Sequence, residues 1–219
     1  MTGSIKALIG RELLMARRSG GSWAQGAIFF ILFTVLAAFA LGPDQAARAS
    51  LSPALVWLAA SLASQLSLDR LFSEDLRDGT LECWFVDELS LIDFSIAKFV
   101  SHWLVAFAPI LVLSPLAALM LGAPTQSLPL TFASLIIGGP ALVFLGGMVS
   151  ALTANLRGAG LLIVLISGPL LAAPLIFGVG AVQTGGWDSV ELKILGAISL
   201  NAIVLGPVIS ALALKVHLE

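Results

Sequence analysis

Residues Phe99–Leu156 read FVSHWLVAFAPILVLSPLAALMLGAPTQSLPLTFASLIIGGPALVFLGGMVSALTANL, which is 58 residues without a formal charge. A helix that crosses a bilayer needs about 20 consecutive apolar residues, so this stretch is long enough for two crossings. GAPTQSLP (Gly122–Pro129) interrupts it with the glycine and proline content typical of a loop. The stretch therefore predicts a helical hairpin within a membrane.

The composition of the whole chain agrees with a membrane protein. Hydrophobic residues make up 58% of the 219 residues and charged residues 11%, whereas about a quarter of the residues of a soluble domain are charged. So much apolar surface needs lipid as its solvent, which excludes a soluble fold. The single cysteine, Cys83, excludes an internal disulfide. We predict a single transmembrane domain over residues 1–219.

Charge-free stretches on both sides of this hairpin extend the pattern to six spans. The predicted fold is an all-α polytopic membrane protein, with an amino-terminal interfacial amphipathic helix at 3–18 followed by six transmembrane helices. The predicted spans are about 21–42, 50–68, 98–121, 130–154, 159–182 and 194–214.

Lysine and arginine determine the predicted orientation, because they are enriched in cytoplasmic segments. With the amino terminus inside, only Arg48 and Lys193 of the 11 lie in outer loops. Both termini are therefore predicted to be cytoplasmic. A cleavable signal peptide at residues 1–42 is the alternative, but its apolar run would exceed the usual length of about 7–15 residues.

The interfacial helix contains one residue that does not suit a lipid-facing surface. Glu12 interrupts the apolar face, where an unpaired carboxylate is costly. Two interpretations stay open: the amphipathic pattern is imperfect, or Glu12 pairs with a cation of a partner or of the inner loop. The cations of the opposite face are Lys6, Arg11, Arg17 and Arg18.

A predicted cytoplasmic segment at 69–97 contains most of the acids. Eight of the 13 carboxylates fall in residues 69–93: Asp69, Glu74, Asp75, Asp78, Glu82, Asp87, Glu88 and Asp93. The segment begins with LDRLFSEDLRDGTLE (Leu68–Glu82), in which Leu68, Leu71, Phe72 and Leu76 recur at helical spacing. Asp78-Gly79 is typical of a helix end, and Ser90–Asp93 resembles a capping box. A stiff acidic helix with an apolar stripe favours docking of another protein; a solvated loop is the alternative.

No motif for nucleotide binding or catalysis is present. None of the four lysines follows a glycine, which excludes a GxxxxGK[ST] phosphate-binding loop. Coupled carriers usually keep an ionisable group at mid-membrane, and its absence disfavours a secondary transporter. His102 is an interfacial hydrogen-bonding residue or, less favoured, a haem ligand, because no second ligand is evident. We predict no metal site and no directly bound cofactor.

The spans are rich in proline and glycine instead. Helix flexibility is predicted at Pro109, Pro115, Pro169 and Pro174, with simple packing tolerance as the alternative. Small residues at Ser134/Gly138 and Gly147/Ala151 predict close approach of neighbouring helices. Helices that bend but hold no charge suit movement that is driven from outside.

The order of these motifs resembles the haem exporter B family, CcmB. The resemblance rests on Leu68–Glu82, AKFVSHWLVAFAPILVLSPLAALMLG (Ala97–Gly122), NLRGAG (Asn155–Gly160) and PLLAAPLIFG (Pro169–Gly178), and extends from RELLMARR (Arg11–Arg18) through the fifth span. It implies an ABC-2-type permease architecture in the bacterial inner membrane. It also implies a non-catalytic subunit of the cytochrome c maturation ABC transporter.

The resemblance implies partners as well. A separate subunit, CcmA, would hydrolyse ATP, and the other partners would be the membrane haem-handling protein CcmC, the small membrane protein CcmD and the haem chaperone CcmE. ATP hydrolysis would be linked to the handling of haem b by the complex and to release of haem-loaded CcmE from CcmC. Two copies of the chain would match two ATPase subunits. The tryptophan-rich haem-binding motif of CcmC is missing here.

The acidic segment is then expected to couple the chain to the ATPase, with its apolar stripe in a groove of the motor and its acids on a basic rim. The alternatives are a passive scaffold for haem-handling proteins and, less favoured, a secondary transporter. The expected coupling residues are Asp69, Arg70, Leu71, Phe72, Glu74, Asp75, Leu76, Asp78, Gly79 and Glu82.

Overall fold

The computed structural model describes residues 2–18, 24–66, 68–81, 90–156 and 159–218. These residues are almost entirely helical, and no strand occurs among them. The prediction for Glu82 lies outside the described residues. The helices are α1 (Thr2–Arg18), α2 (Gln25–Ala40), α3 (Gln45–Gln65), α4 (Ser73–Arg77), α5 (Leu91–His102), α6 (Ala108–Met120), α7 (Leu128–Thr153), α8 (Ala159–Thr184) and α9 (Val190–Leu218).

Five helical segments are long and apolar enough to cross a membrane: Gln45–Gln65, Leu91–Met120, Thr125–Thr153, Leu161–Thr184 and Val190–Leu218. A shorter apolar helix, α2, has 16 residues and corresponds to the span predicted at 21–42. The prediction of a polytopic all-α membrane protein is therefore confirmed. Of the six predicted spans, five have full length in the part of the chain that the structure describes.

The helix that runs into the third predicted span begins at the predicted capping box and is interrupted. Its first part is α5, which starts at Leu91, and the Ser90 hydroxyl accepts a hydrogen bond from the Asp93 N–H at 3.2 Å. This confirms the predicted capping interaction. A π-helical turn at Trp103–Phe107 joins α5 to α6. Pro109 follows at once and cannot donate to the carbonyl four residues earlier, which favours the wider turn.

The remaining prolines do not break their helices. Pro115 lies inside α6, and Pro169 and Pro174 lie inside α8. Helix flexibility at these three positions and at Pro109 stays a prediction.

The end of α4 follows the predicted pattern. Gly79 adopts the left-handed conformation with φ +75°, directly after Asp78, whose N–H donates to the Glu74 carbonyl. A residue in the left-handed conformation turns the chain back after a helix. Glycine adopts this conformation at little steric cost because it lacks a Cβ.

We expect Gly79→Ala to lower the free energy of unfolding by about 1 kcal/mol, because left-handed backbone disfavours a Cβ. Gly10→Ala is the matched control of opposite sign, since Gly10 lies inside α1 with open space around it. Alanine there should raise the free energy of unfolding by about 0.5–1 kcal/mol. Thermal unfolding of the purified variants in detergent measures both. Shifts of the same sign would contradict the left-handed turn.

Helix α7 lies at the centre of the bundle. Most of it is buried, whereas most of α8 is exposed. Three contacts fasten α9 to α7: the Ser199 hydroxyl donates to the Ile137 carbonyl at 2.5 Å, Gly206 packs against Phe144, and His217 Nε2 lies 3.2 Å from the Ala151 carbonyl. The face that α9 turns away from α7 is therefore well defined.

Small residues of the bundle make room for aromatic side chains. A Cβ on Gly138 or on Gly178 would collide with the indole of Trp57, and a Cβ on Gly147 would collide with the Phe99 ring. Ser134 accepts a hydrogen bond from Trp57 Nε1 at 3.1 Å. Close approach of neighbouring helices at Ser134/Gly138 and Gly147/Ala151 stays a prediction, while aromatic side chains fill the space beside Gly138 and Gly147.

Candidate coupling site

The acidic hairpin is less regular than one amphipathic helix. Its first residues form a 3₁₀ turn, Leu68–Arg70, and only five residues, Ser73–Arg77, form α4. We call residues 68–81 the hairpin segment. The predicted single helix is therefore wrong in this part, although the predicted end at Gly79 is confirmed.

The apolar stripe of the hairpin segment faces the bundle of its own chain. Leu68, Phe72 and Leu81 have no exposed surface, and Leu71 is buried. Leu76 is half-buried and packs against the same core. The expectation that Leu71 and Phe72 sit in a groove of another protein is therefore corrected, since both already have intramolecular contacts.

An aromatic chain connects the hairpin segment to two spans. The Phe72 ring lies 6.4 Å from Phe94 and 5.8 Å from Phe99, the second pair edge to face at 80°. Phe99 in turn lies 4.9 Å from Phe144 of α7. The Ser150 hydroxyl of α7 also donates to the Leu68 carbonyl. The hairpin segment is thus fixed to α5 and α7 by close packing and by a backbone hydrogen bond.

Four charged residues form an ion cluster beside this aromatic chain. Lys98 Nζ lies 2.5 Å from Asp75 Oδ2 and 2.9 Å from Glu12 Oε2. Arg11 lies 3.8 Å from Asp75 and 3.9 Å from Glu12. Two cations and two carboxylates give the ion cluster a formal charge of zero. It joins α1, α4 and α5 at one point.

The ion cluster decides between the two interpretations of Glu12. Its partner is Lys98, at the boundary of the acidic segment and the third span, so the pairing with a cation of the inner loop is confirmed. The apolar face of α1 correspondingly packs against the bundle, with Leu8 buried. Glu12 lies on that face because its charge is neutralised inside the protein.

The electrostatics of Asp75 reflect its position. Only 4% of its side chain is exposed. Burial raises the pKa of the Asp75 carboxyl above its ordinary value, while attraction to Lys98 and a hydrogen bond with it act in the opposite direction. Asp75 is therefore not available as an acid of a docking surface, which corrects its predicted role.

Among the hairpin residues whose burial the structure describes, four are exposed, and we call them the exposed rim: Arg70, Glu74, Arg77 and Asp78. Partial burial acts to raise the pKa of the Asp78 carboxyl, but hydrogen bonds from Thr80 lower it below its ordinary value. In one of them, Asp78 Oδ1 accepts from the Thr80 N–H at 3.1 Å. Asp78 is thus held as a carboxylate beside Gly79. Docking by the exposed rim, by Asp69 and by Glu82 stays a prediction.

His102 lies at the end of α5. Its ring makes a hydrogen bond with the Ser64 backbone, whereas Nε2 is buried without a hydrogen-bond partner among the described residues. No group of three or more His, Cys, Asp or Glu side chains that could hold a metal occurs in that part of the chain. Haem ligation by His102 stays a prediction.

Sequence reasoning missed Lys98 and Arg11 as members of the site. Two signals were available: Lys98 is the last charge before the 58-residue uncharged stretch, and Glu12 lies on an apolar face. A cation at the entrance of a span and a carboxylate on an apolar helix face each need a partner of opposite charge. Their pairing could have been inferred from that shared need.

Comparison with known proteins agrees with these features. The family model "CcmB protein" matches residues 4–217. "Heme exporter protein B" of Paracoccus denitrificans is 38% identical over 218 residues, 98% of this chain and 100% of that protein. The proteins of the same name are 37% identical in Pseudomonas aeruginosa, over 99% of this chain and 98% of that protein, and 35% identical in Escherichia coli K12, over 95% and 96%. With a full-length family match and relatives of this identity, the multi-pass membrane protein described above belongs to the CcmB family.

Proposed function

We propose that the chain is the membrane permease subunit of an ABC-type haem exporter and that a separate ATPase, CcmA, moves it through the hairpin segment. Family membership and the relatives named heme exporter protein B support the first part. The observation that carries the second part is the ion cluster, in which a hairpin carboxylate is in direct contact with a buried lysine at the boundary of the third span.

The contacts of the hairpin segment connect the exposed rim to two spans, so that a displacement of the rim reaches both. Asp75 and Phe72 transfer it to α5 through Lys98 and Phe99, and the Leu68 carbonyl transfers it to α7 through Ser150. Because protein interiors are close-packed, such a segment moves with its neighbours rather than independently of them. The hairpin segment thus acts as a rigid attachment between the surface and two spans.

The proposal includes the setting of the complex. The hairpin segment and both termini face the cytoplasm of a bacterium with this subunit in its inner membrane. CcmC, CcmD and CcmE are the partners, together with a second copy of this chain. ATP is bound and hydrolysed by CcmA, this chain binds no cofactor itself, and haem b is handled by the assembled complex. ATP hydrolysis drives release of haem-loaded CcmE from CcmC.

The docking part is tested with the double variant Glu74→Lys, Asp78→Lys. Both residues are exposed, so the fold should tolerate the change, while two attractive charges become repulsive towards a basic partner. We expect roughly tenfold less CcmA to be retained on washed membranes, since each exposed charge pair contributes up to about 1 kcal/mol. The measurement is quantitative immunoblotting of CcmA against the inserted permease.

The matched control is Asp188→Lys, in the loop between α8 and α9. Its side chain is 94% exposed, and its loop lies at the opposite end of α9 from Lys215, on the outer side in the proposed orientation. Retention of CcmA should be unchanged. If the double variant also retained CcmA in full, the exposed rim would not be the docking surface. Cytochrome c maturation with an ATPase-inactive CcmA separates transmission from scaffolding, because only a passive scaffold would still support it.

A further inference from the structure

Buried polar atoms without a hydrogen-bond partner are concentrated where α3 and α5 meet. Most buried polar groups of a protein are paired. Apart from two atoms of the ion cluster, most of the unpaired atoms among the described residues lie in two short stretches, the end of α3 and the junction of α5 with the π-helical turn. These atoms are Ser61 Oγ, Gln65 Nε2, Ser101 Oγ, His102 Nε2 and Trp103 Nε1.

The two stretches are in contact with each other. The His102 ring makes a hydrogen bond with the Ser64 backbone, which brings the end of α5 against the end of α3. Ser61 and Gln65 are four residues apart on α3 and therefore lie on one face of that helix. Ser61 is 5% exposed and Gln65 is 8% exposed. The unpaired atoms of Ser61, Gln65 and His102 thus lie around the same buried part of α3.

The amide of Gln65 is fixed at a junction of three helices. Its Oε1 accepts a hydrogen bond from the Ser167 hydroxyl of α8 at 3.0 Å. A Cβ on Gly146 of α7 would lie 3.1 Å from Gln65 Nε2, so a glycine at this position leaves space for the amide. Both N–H groups of Nε2 nonetheless have no acceptor among the described residues. The amide could turn towards another group only by giving up its bond with Ser167.

Two buried hydroxyl groups elsewhere in the spans show how such groups are normally paired. Thr34 donates to the Phe30 carbonyl at 2.8 Å, and Ser114 donates to the Leu111 carbonyl at 2.8 Å. Each is therefore satisfied within its own helix. Ser61 makes no such bond, and lipid cannot supply a hydrogen bond in its place. The polar atoms at the end of α3 consequently need a small polar partner from outside the chain.

We propose that Ser61, Gln65 and His102 form a binding site for an internal water molecule between α3 and α5. A buried water typically makes about three hydrogen bonds, which matches three unpaired groups. Water can accept from the Gln65 amide, and it can either donate to or accept from a hydroxyl or an imidazole nitrogen. The site lies one helical turn beyond Lys98 and three residues before the hairpin segment. It places an exchangeable hydrogen-bond partner beside the Gln65–Ser167 contact of α3 with α8.

Hydroxyl-radical labelling tests the site in the full-length chain in lipid nanodiscs. Radiolysis forms the radicals from water, so that a side chain beside a bound water is oxidised even when it is buried. We expect His102 to be oxidised and Trp57 to stay unoxidised, although tryptophan is intrinsically the more reactive side chain. Trp57 is the control because it is fully buried and its Nε1 donates to Ser134. Absence of oxidation at His102, measured by mass spectrometry, would overturn the proposal.

A double variant separates a bound water from access of radicals through the lipid. Ser61→Ala, Gln65→Leu removes two of the three partners and should lower the rate of His102 oxidation about fivefold or more, since each lost hydrogen bond weakens binding by about that factor. Ser114→Ala, which removes a satisfied hydroxyl, should leave the rate unchanged. Trp57 must stay unoxidised in each variant as the sign of an intact fold.

The single variant Ser61→Ala serves if the double variant exposes Trp57, because it removes only one hydroxyl group. His102 oxidation that stays the same in a folded variant lacking Ser61 Oγ or the Gln65 amide would show that the radicals do not come from a water held by these residues. The proposed site would then be wrong.

Discussion

Lys98→Met is expected to lower the free energy of unfolding by about 3–5 kcal/mol, because it leaves the carboxylates of Glu12 and Asp75 buried with Arg11 as their remaining cation. Of these, the Asp75 side chain is 4% exposed and the Glu12 side chain 15% exposed. The change should appear as early loss of monodisperse protein on heating in detergent and as a lower midpoint of chemical unfolding.

The combined variant Glu12→Gln, Asp75→Asn, Lys98→Met should recover most of that loss, since a buried ion network can be replaced by neutral groups at little cost. Lys193→Met is the matched control. Lys193 also makes an ion pair, 2.7 Å from Asp188, but the two side chains are 64% and 94% exposed, so less than about 1 kcal/mol should be lost. Equal destabilisation by Lys98→Met and Lys193→Met would show that the ion cluster is not buried in the folded protein.

Trp57→Ala is expected to cost about 3–5 kcal/mol of unfolding free energy. The indole is fully buried and occupies the space above Gly138 of α7 and Gly178 of α8, so its removal leaves a cavity where three helices meet. In a membrane the loss comes mainly from missing packing contacts, because lipid is as apolar as the protein interior.

Trp187→Ala is the comparison for this variant, because Trp187 is 64% exposed in the loop before α9. It should change the free energy of unfolding by less than about 0.5 kcal/mol. Trp57→Phe should fall between the two, since a ring remains but the 3.1 Å hydrogen bond to Ser134 is lost. If Trp57→Ala were no worse than Trp187→Ala, the packing described for α3 against α7 and α8 would be wrong.

Features that depend on neighbouring residues could be predicted from the sequence. The Ser90 cap, the left-handed Gly79 and the loop at Gly122 each involve residues within a few positions of one another, and the apolar spans depend on composition alone. Glu12 could be recognised as a charge that needs a partner because it lies on the apolar face of a predicted helix.

Features that depend on long-range packing could not be predicted. Periodicity shows that Leu71 and Phe72 share a face but not whether that face meets another protein or the bundle of the same chain. Asp75 resembles its exposed neighbour Glu74 in sequence, and only the position of Lys98 separates the buried carboxylate from the exposed one. Ser134 and Gly138 indicate close packing. The sequence does not show whether an aromatic ring or a helix backbone packs against them, because both require small residues at the contact.

The π-helical turn at Trp103–Phe107 has a consequence for the helical wheel of the third span. Buried positions in α5 include Phe94, Lys98 and Ser101, which are spaced four and three residues apart. In an unbroken helix the same spacing would bury positions 105, 108, 112, 115 and 119. Val112 and Leu119 are nonetheless 72% and 46% exposed. The wider turn shifts the phase between the two halves, so that the half bearing Lys98 and the half bearing Ile110 are oriented independently. An α-helix of this sequence without the π-helical turn would direct Val112 into the bundle and Ile110 towards the acyl chains of the lipid.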